Sequence, residues 1–195
     1  HGERPARRQL DPEQLPAELE LLQNALAETR REISAIQSKV QAGMGASESA
    51  IFDAHLLVLE DSTLLEEVKR FVETEKVNVA HAFHEIAEKY AHALGSVEDE
   101  YLRERAADIR DVTSRVLGHL TGHRSQDLSH LTEPYILVGH DLTPSQTASL
   151  DRNLAQGLAT DVGGKTSHTA IMAGSLRIPA VVGLKAASEN VATGD

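Results

Sequence analysis

From Asp11 to Gly122 the apolar residues of this chain recur every three or four positions, with few interruptions. Leu15, Leu19, Leu22, Leu26, Ile33, Ile36 and Val40 step by threes, fours and one seven, a spacing that lines one face of an α-helix. Asp11 is placed to cap that helix and Pro12 to open it. Pro16, one turn inside, offers a second start, and Gly43–Met44–Gly45 ends it. Further helices are predicted over 51–59, 63–76 and 78–94. A last one is predicted from near Ser96, where Asp99 three residues on makes an aspartate variant of a capping box. Short connections between long amphipathic helices make antiparallel neighbours, so residues 11–122 read as a bundle of helical hairpins.

After Gly122 the pattern changes. Residues 123–134 are polar, end in Pro134 and read as a linker. Tyr135–Ile136–Leu137–Val138–Gly139 is a short apolar run of the kind that forms a buried strand. Thr143–Pro144–Ser145–Gln146 opens a helix with a capping threonine, a first-position proline and a glutamine three on. Strands are also predicted over 157–160 and 178–183. Strand and helix alternate, so residues 135–195 read as a small α/β domain with a mainly parallel sheet, giving an α + α/β chain overall. Only three strands are legible and Gly194–Asp195 is a turn signal. Further strands are therefore expected before residue 1 and after residue 195.

Charge narrows the partners. Thirty acidic residues face 19 basic ones among 195, for a net charge of −11. Nucleic acid needs a basic face and so is not expected as a partner. The acidic balance suits a basic protein partner, or simply a surface that keeps the domain soluble. Cysteine is absent, which rules out disulfides and thiolate metal sites. No apolar run approaches the roughly 20 residues of a membrane span, and the first residues lack a signal-peptide core. A soluble, cytoplasmic protein without a membrane partner is the expectation.

The chemistry-bearing stretch is Gly163–Gly164–Lys165–Thr166–Ser167–His168–Thr169–Ala170–Ile171–Met172–Ala173. Two glycines free the backbone to turn, two hydroxyl residues offer helix caps, and a histidine follows in the first turn. Unpaired amide hydrogens and a helix dipole converge there, where an anion such as a ring-bound phosphate is stabilised. The same residues also suit an ordinary strand-to-helix loop with a surface histidine. Context separates the two readings. Asp141–Leu142–Thr143 and Asp161–Val162–Gly163–Gly164 both fall at the carboxyl ends of predicted strands, where α/β sheets place their sites.

Four segments in order resemble the amino-terminal half of enzyme I, the phosphoenolpyruvate–protein phosphotransferase of the bacterial sugar phosphotransferase system. These are Ala50–Ile51–Phe52 with His55 and Leu59–Glu60–Asp61, the run Asp99–Asp108, Asp141–Leu142–Thr143–Pro144–Ser145, and Gly163–Ala173. The resemblance implies that His168 takes a phosphoryl group that originates on phosphoenolpyruvate and passes it to a histidine of the small carrier HPr. It implies that Thr143 orients His168, that Gly163, Gly164, Lys165, Thr166 and Ser167 form the phosphate loop, and that the bundle docks HPr. Ile51, His55, Val58, Tyr101, Leu102 and Arg105 are the docking residues it points to. It implies no cofactor for this part of the enzyme. Mg²⁺ and the pyruvate-binding barrel belong to a carboxy-terminal domain, as do the contacts of the full-length homodimer. Similar phosphohistidine loops occur on the swivelling domains of pyruvate phosphate dikinase and phosphoenolpyruvate synthase. A dikinase-type swivelling domain, or a non-catalytic HPr-interaction module, is therefore the alternative.

Two departures stand out. Many relatives carry arginine where this chain has Gly174, so Arg177 or Lys165 is expected to supply the phosphate's cationic partner. Ser62 and Thr63 stand where relatives often carry acids, which bears on partner affinity. His81, Glu85, Glu88 and His92 share a helix face, and a solvated polar face is favoured there over a zinc site.

Overall fold

The computed structural model describes residues 4–122 and 131–194. It divides into two compact units, one drawn from 1–35 and 52–125, the other from 36–51 and 126–195.

In the first unit the chain opens beside its own residue 77. Gln9 bridges Val77 in antiparallel sense, and the amide of Leu10 donates to Lys76 O at 2.7 Å. A single 3-10 turn, Pro12–Gln14, precedes α1 (Leu15–Gly43). Pro16 thus sits at the second position of α1, where a missing N–H leaves no helical bond unmade. Next come α2 (Ala46–Leu59), whose residues 46–51 are grouped with the other unit as are residues 36–43 of α1, then α3 (Ser62–Glu75), α4 (Val79–Gly95) and α5 (Glu100–Thr121). α3 begins where the Asp61 side chain accepts from Leu64 N at 3.0 Å. Buried Glu18 accepts from Val79 N at 2.8 Å and so caps α4 from α1.

α5 starts later than predicted. Asp99 is its N-cap, accepting from Leu102 N at 3.0 Å, rather than the third residue of a helix opened by Ser96. An extended cap accepts the free amide two or three residues on, and an aspartate does this as well as a serine. Leu22, Phe52, Val68, Val72, Phe83 and Val112 are fully buried in this unit. α4 and α5 run close together, since a Cβ on Gly95 would lie 3.6 Å from that of Ala106.

The second unit carries β1 (Tyr135–Gly139), α6 (Pro144–Ala148), β2 (Ala155–Thr160), α7 (His168–Leu176), β3 (Ala180–Val181) and α8 (Ala187–Asn190). The strands form one parallel sheet in the order β1-β2-β3, with Gly139 opposite Thr160 and Leu158 opposite Ala180. β1 has its predicted bounds. β3 is shorter than predicted because Pro179 has no N–H to donate and the chain turns at Gly183 with φ +80°. Leu142, Leu150, Ala155, Leu158, Ala173 and Ile178 form the core, with Tyr135, Leu137 and Leu176 packed against it. The Tyr135 hydroxyl is buried without a partner among the described residues, and this burial pushes its phenol above the ordinary range. Helical hairpins and a small parallel α/β domain are thus both present. Among the described residues no helix is long and apolar enough to cross a membrane.

Candidate functional site

β1 and β2 run side by side and end together, so the loops that follow them share one end of the sheet. The β2 loop leads into α7. Gly163 adopts φ +105°, a conformation other residues rarely take, and a Cβ there would approach Ser167 Oγ to 3.3 Å. Ser167 then caps α7, its hydroxyl accepting from Ala170 N at 3.3 Å. His168 is consequently the first residue of the helix and is half-buried. With the third amide taken by the cap, the helical ladder offers no carbonyl to the N–H groups of His168 and Thr169. Gly164, Lys165 and Thr166 are exposed beside them. The arrangement is a nucleophilic imidazole on a positive helix end, next to free amides and a lysine.

The β1 loop is fastened to the same turn. Thr169 Oγ1 donates to Leu142 O at 2.9 Å, which joins the residue after His168 to the residue before Thr143. Thr143 caps α6, its hydroxyl accepting from Gln146 N at 3.2 Å while its own N–H donates to Gln146 Oε1 at 3.0 Å. Accepting one hydrogen bond leaves the Thr143 proton to donate, although among the described residues no bond joins it to His168. Thr169 was not a predicted site residue. A hydroxyl directly after the histidine is the one sequence signal that could have identified it.

A second fastening comes from further along. Asp161, at the end of β2 and buried, accepts from Ser188 N at 3.0 Å and from Ser188 Oγ, and His140 Nδ1 lies 3.3 Å away. These donors hold its carboxyl below the usual aspartate range, the Ser188 hydroxyl most of all. Gly183 packs so closely that a Cβ on it would lie 3.1 Å from Gly163 O.

The structure corrects the Arg177 expectation. Arg177 is the C-cap of α7, with φ +58°, while His168 opens the same helix. At about 1.5 Å per residue, nine residues separate them by roughly 13 Å along the axis, beyond the reach of an arginine side chain. Lys165 lies three residues before His168 in the loop itself. Nothing lies within 4 Å of a Cβ added at Gly174.

His55 is also corrected as a docking residue. Its side chain is 0% exposed in the first unit, so it presents nothing to a partner. Nε2 lies 3.1 Å from Asp108 Oδ1, Nδ1 lies 3.9 Å from Asp111 Oδ2, and the ring meets Phe52 edge-on at 5.3 Å. Helical periodicity placed His55 on an interior face, but it could not assign that face to partner or core. Val58 and Leu102 are half-buried in this unit, as is Ile51 in the other. Tyr101 is 60% exposed, and its hydroxyl accepts from Arg105 Nη2 at 2.7 Å. Leu57, also 60% exposed, was missed because it sits between residues read as the helix's apolar face. Glu85 pairs with Arg4 at 2.9 Å and Glu88 with Arg110 at 2.7 Å. No group of three or more metal-ligating side chains occurs among the described residues.

Comparison with known proteins places the chain in a family. The family model of PEP-utilising enzymes, N-terminal, matches residues 2–105, and that of their mobile domain matches residues 131–195. The phosphoenolpyruvate-protein phosphotransferase of Geobacillus stearothermophilus is 46% identical over 179 residues, covering 92% of this chain and 31% of its own. The chain thus spans about a third of that relative's length. The NMR solution structure of Enzyme I (nEIt) superposes with a TM-score of 0.77 at 41% identity, over 97% of this chain and 77% of that one. The N-terminal domain of Enzyme 1 - Nitrogen gives 0.66 at 29% identity, over 92% and 72%. With more than half its length matched by the amino-terminal model and a solved enzyme I alike over almost all of it, the chain belongs to the enzyme I family of phosphoenolpyruvate-utilising phosphotransferases.

Proposed function

We propose that this chain is a phosphoryl relay: His168 accepts phosphate and hands it to a histidine of an HPr-like carrier. The observation that carries the reading is the position of His168 as first residue of α7 at the carboxyl end of β2, where first-turn amides have no helical carbonyl to bond. A neutral imidazole is a good nucleophile near neutral pH. One ring nitrogen attacks phosphorus, a P–N bond forms, and the bond to the donor histidine or enol oxygen breaks. The step returns in reverse when the carrier collects the group. Little covalent chemistry is left to the protein, so positioning and charge stabilisation dominate. Lys165 and the amides of His168 and Thr169 supply that charge, and the Thr143 hydroxyl orients the ring. Exposed Tyr101 and Leu57, with Val58, Leu102 and Arg105, form the carrier-docking face of the helical unit.

Loading from phosphoenolpyruvate, the Mg²⁺ that this reaction uses and the homodimer contacts belong to the carboxy-terminal domain of the full-length enzyme, in the cytoplasm. Incubation with phospho-HPr tests the reading. Acid-labile phosphate on His168, lost in His168→Ala, is expected. HPr binding without labelling identifies a non-catalytic module, and no HPr interaction at all overturns the proposal in favour of a dikinase-type swivelling domain.

A further inference from the structure

We infer that Asp161 is a positioning residue for His168, clamping the 183–188 segment beneath the glycine loop so that the loop amides are set before phosphate arrives. The inference rests on the relay reading of His168.

Asp161 lies two residues before Gly163 and is 4% exposed. Its carboxylate holds both the backbone N–H and the hydroxyl of Ser188, 27 residues later. The adjacent backbone repeats the connection. Leu184 N donates to Thr160 O at 3.0 Å and Lys185 N donates to Asp161 O at 2.8 Å. On the other side, Asp161 N donates to Gly139 O at 3.2 Å and Val162 N to His140 O at 3.1 Å. The strand ends before both site loops and the incoming 183–188 segment therefore meet on one residue. Between them, Gly183 presses against the carbonyl of Gly163, so the bend of the glycine loop depends on where that segment lies. Lys185 has φ +71°, a conformation that a non-glycine residue keeps only when surrounding contacts hold it. Among the described residues the Asp161 side chain hydrogen-bonds Ser188 and His140 and makes no hydrogen bond to His168. It acts through Ser188 and Gly183.

The test measures single-turnover transfer from radiolabelled phospho-HPr to the whole chain, for wild type, Asp161→Asn and Ser188→Ala. Hydrogen exchange of the Leu184 and Lys185 amides is followed in each. Ser188→Ala removes one donor from a half-buried position, so it remains informative should Asp161→Asn fold poorly. The expected result is faster exchange at Lys185 in both variants and an unchanged half-saturating phospho-HPr concentration. The maximal rate should fall about 10- to 100-fold in Asp161→Asn, the scale on which small misplacements of reacting groups cost rate, and less in Ser188→Ala. Full-rate variants, whether or not exchange changes, overturn the inference, as does an effect confined to half-saturation. A wild-type chain that takes no label overturns the relay reading and the inference with it. A labelled wild type with full-rate variants overturns the inference alone.

Discussion

Two aspartates are buried equally and spend that burial differently. Asp108 in the helical unit and Asp161 in the α/β unit are each 4% exposed. Asp108 sits within α5, where the backbone amides are already used by the helical ladder, so its partners are side chains: His55 from α2, 53 residues away, and Arg105 one turn before it at 3.9 Å. Asp161 sits at a strand end, where loop amides are free, and Ser188 offers it both an N–H and a hydroxyl. A buried acid in a bundle ties helix to helix, whereas the same acid at the end of a sheet shapes a loop. The first arrangement fixes one helix against another, and the second fixes the path of a loop.

The largest expected effect breaks the first arrangement. Asp108→Ala leaves His55 fully buried between Phe52 and Asp111, and removing one partner of a buried hydrogen bond costs about 1–3 kcal/mol. Urea unfolding followed by far-UV circular dichroism measures this loss. A loss under about 1 kcal/mol, within the range of an ordinary surface ion pair, would show that the His55–Asp108 contact is not a structural tie.

Next in size is a separation within α5 itself. Tyr101 stands on the same helix, exposed, with Arg105 5.1 Å from its ring centre. Tyr101→Ala should weaken HPr binding about tenfold, or ~1.4 kcal/mol, while stability stays within about 0.5 kcal/mol. Calorimetric titration and thermal melting of the same sample give both numbers. A large stability loss would mean that Tyr101 belongs with Asp108 as a packing residue.

The sequence revealed these two aspartates unequally. Strand β1, the parallel sheet, the Thr143 cap and the glycine turn before His168 were legible because each is a local rule: period, cap or turn. Ser96 and Asp99, three residues apart, are both good caps for helix α5, and only the chain's path selects between them. The docking role of His55 rests on the family resemblance alone, and periodicity marks a buried-type face without saying what covers it. Asp161 was noted only as a strand end. Its partner lies 27 residues on, beyond any helix or strand period, in a segment where nothing in the residue pattern points backward.

Thr143→Ala tests whether a cap at the site does a second task. Loss of the cap costs about 1 kcal/mol, and loss of the remaining hydroxyl proton should lower His168 labelling several-fold. Thr143→Ser keeps both functions and should restore both values. If labelling by phospho-HPr is unchanged in the alanine variant, Thr143 is a cap only.

The smallest effect appears only in acid. An aspartate in an unfolded chain titrates near pH 3.9, and the hydrogen bonds from Ser188 hold Asp161 below that when folded. Because the folded value is the lower one, the stabilisation is fully present above about pH 4. As pH falls through the folded value, the unfolded chain binds the proton more tightly and that stability is lost. Exposed His140 lies near the same carboxylate but contributes less to the shift than Ser188 does. Wild type should therefore lose stability more steeply below about pH 4 than Asp161→Asn, which carries no titrating group there. Urea midpoints read from β2 amide signals at a series of pH values compare the two slopes. Equal slopes would mean that the Ser188 contacts bind the neutral acid as well as the anion. Asp161 would then hold its loop by shape alone, and the contrast with Asp108 would rest on partner type rather than on charge.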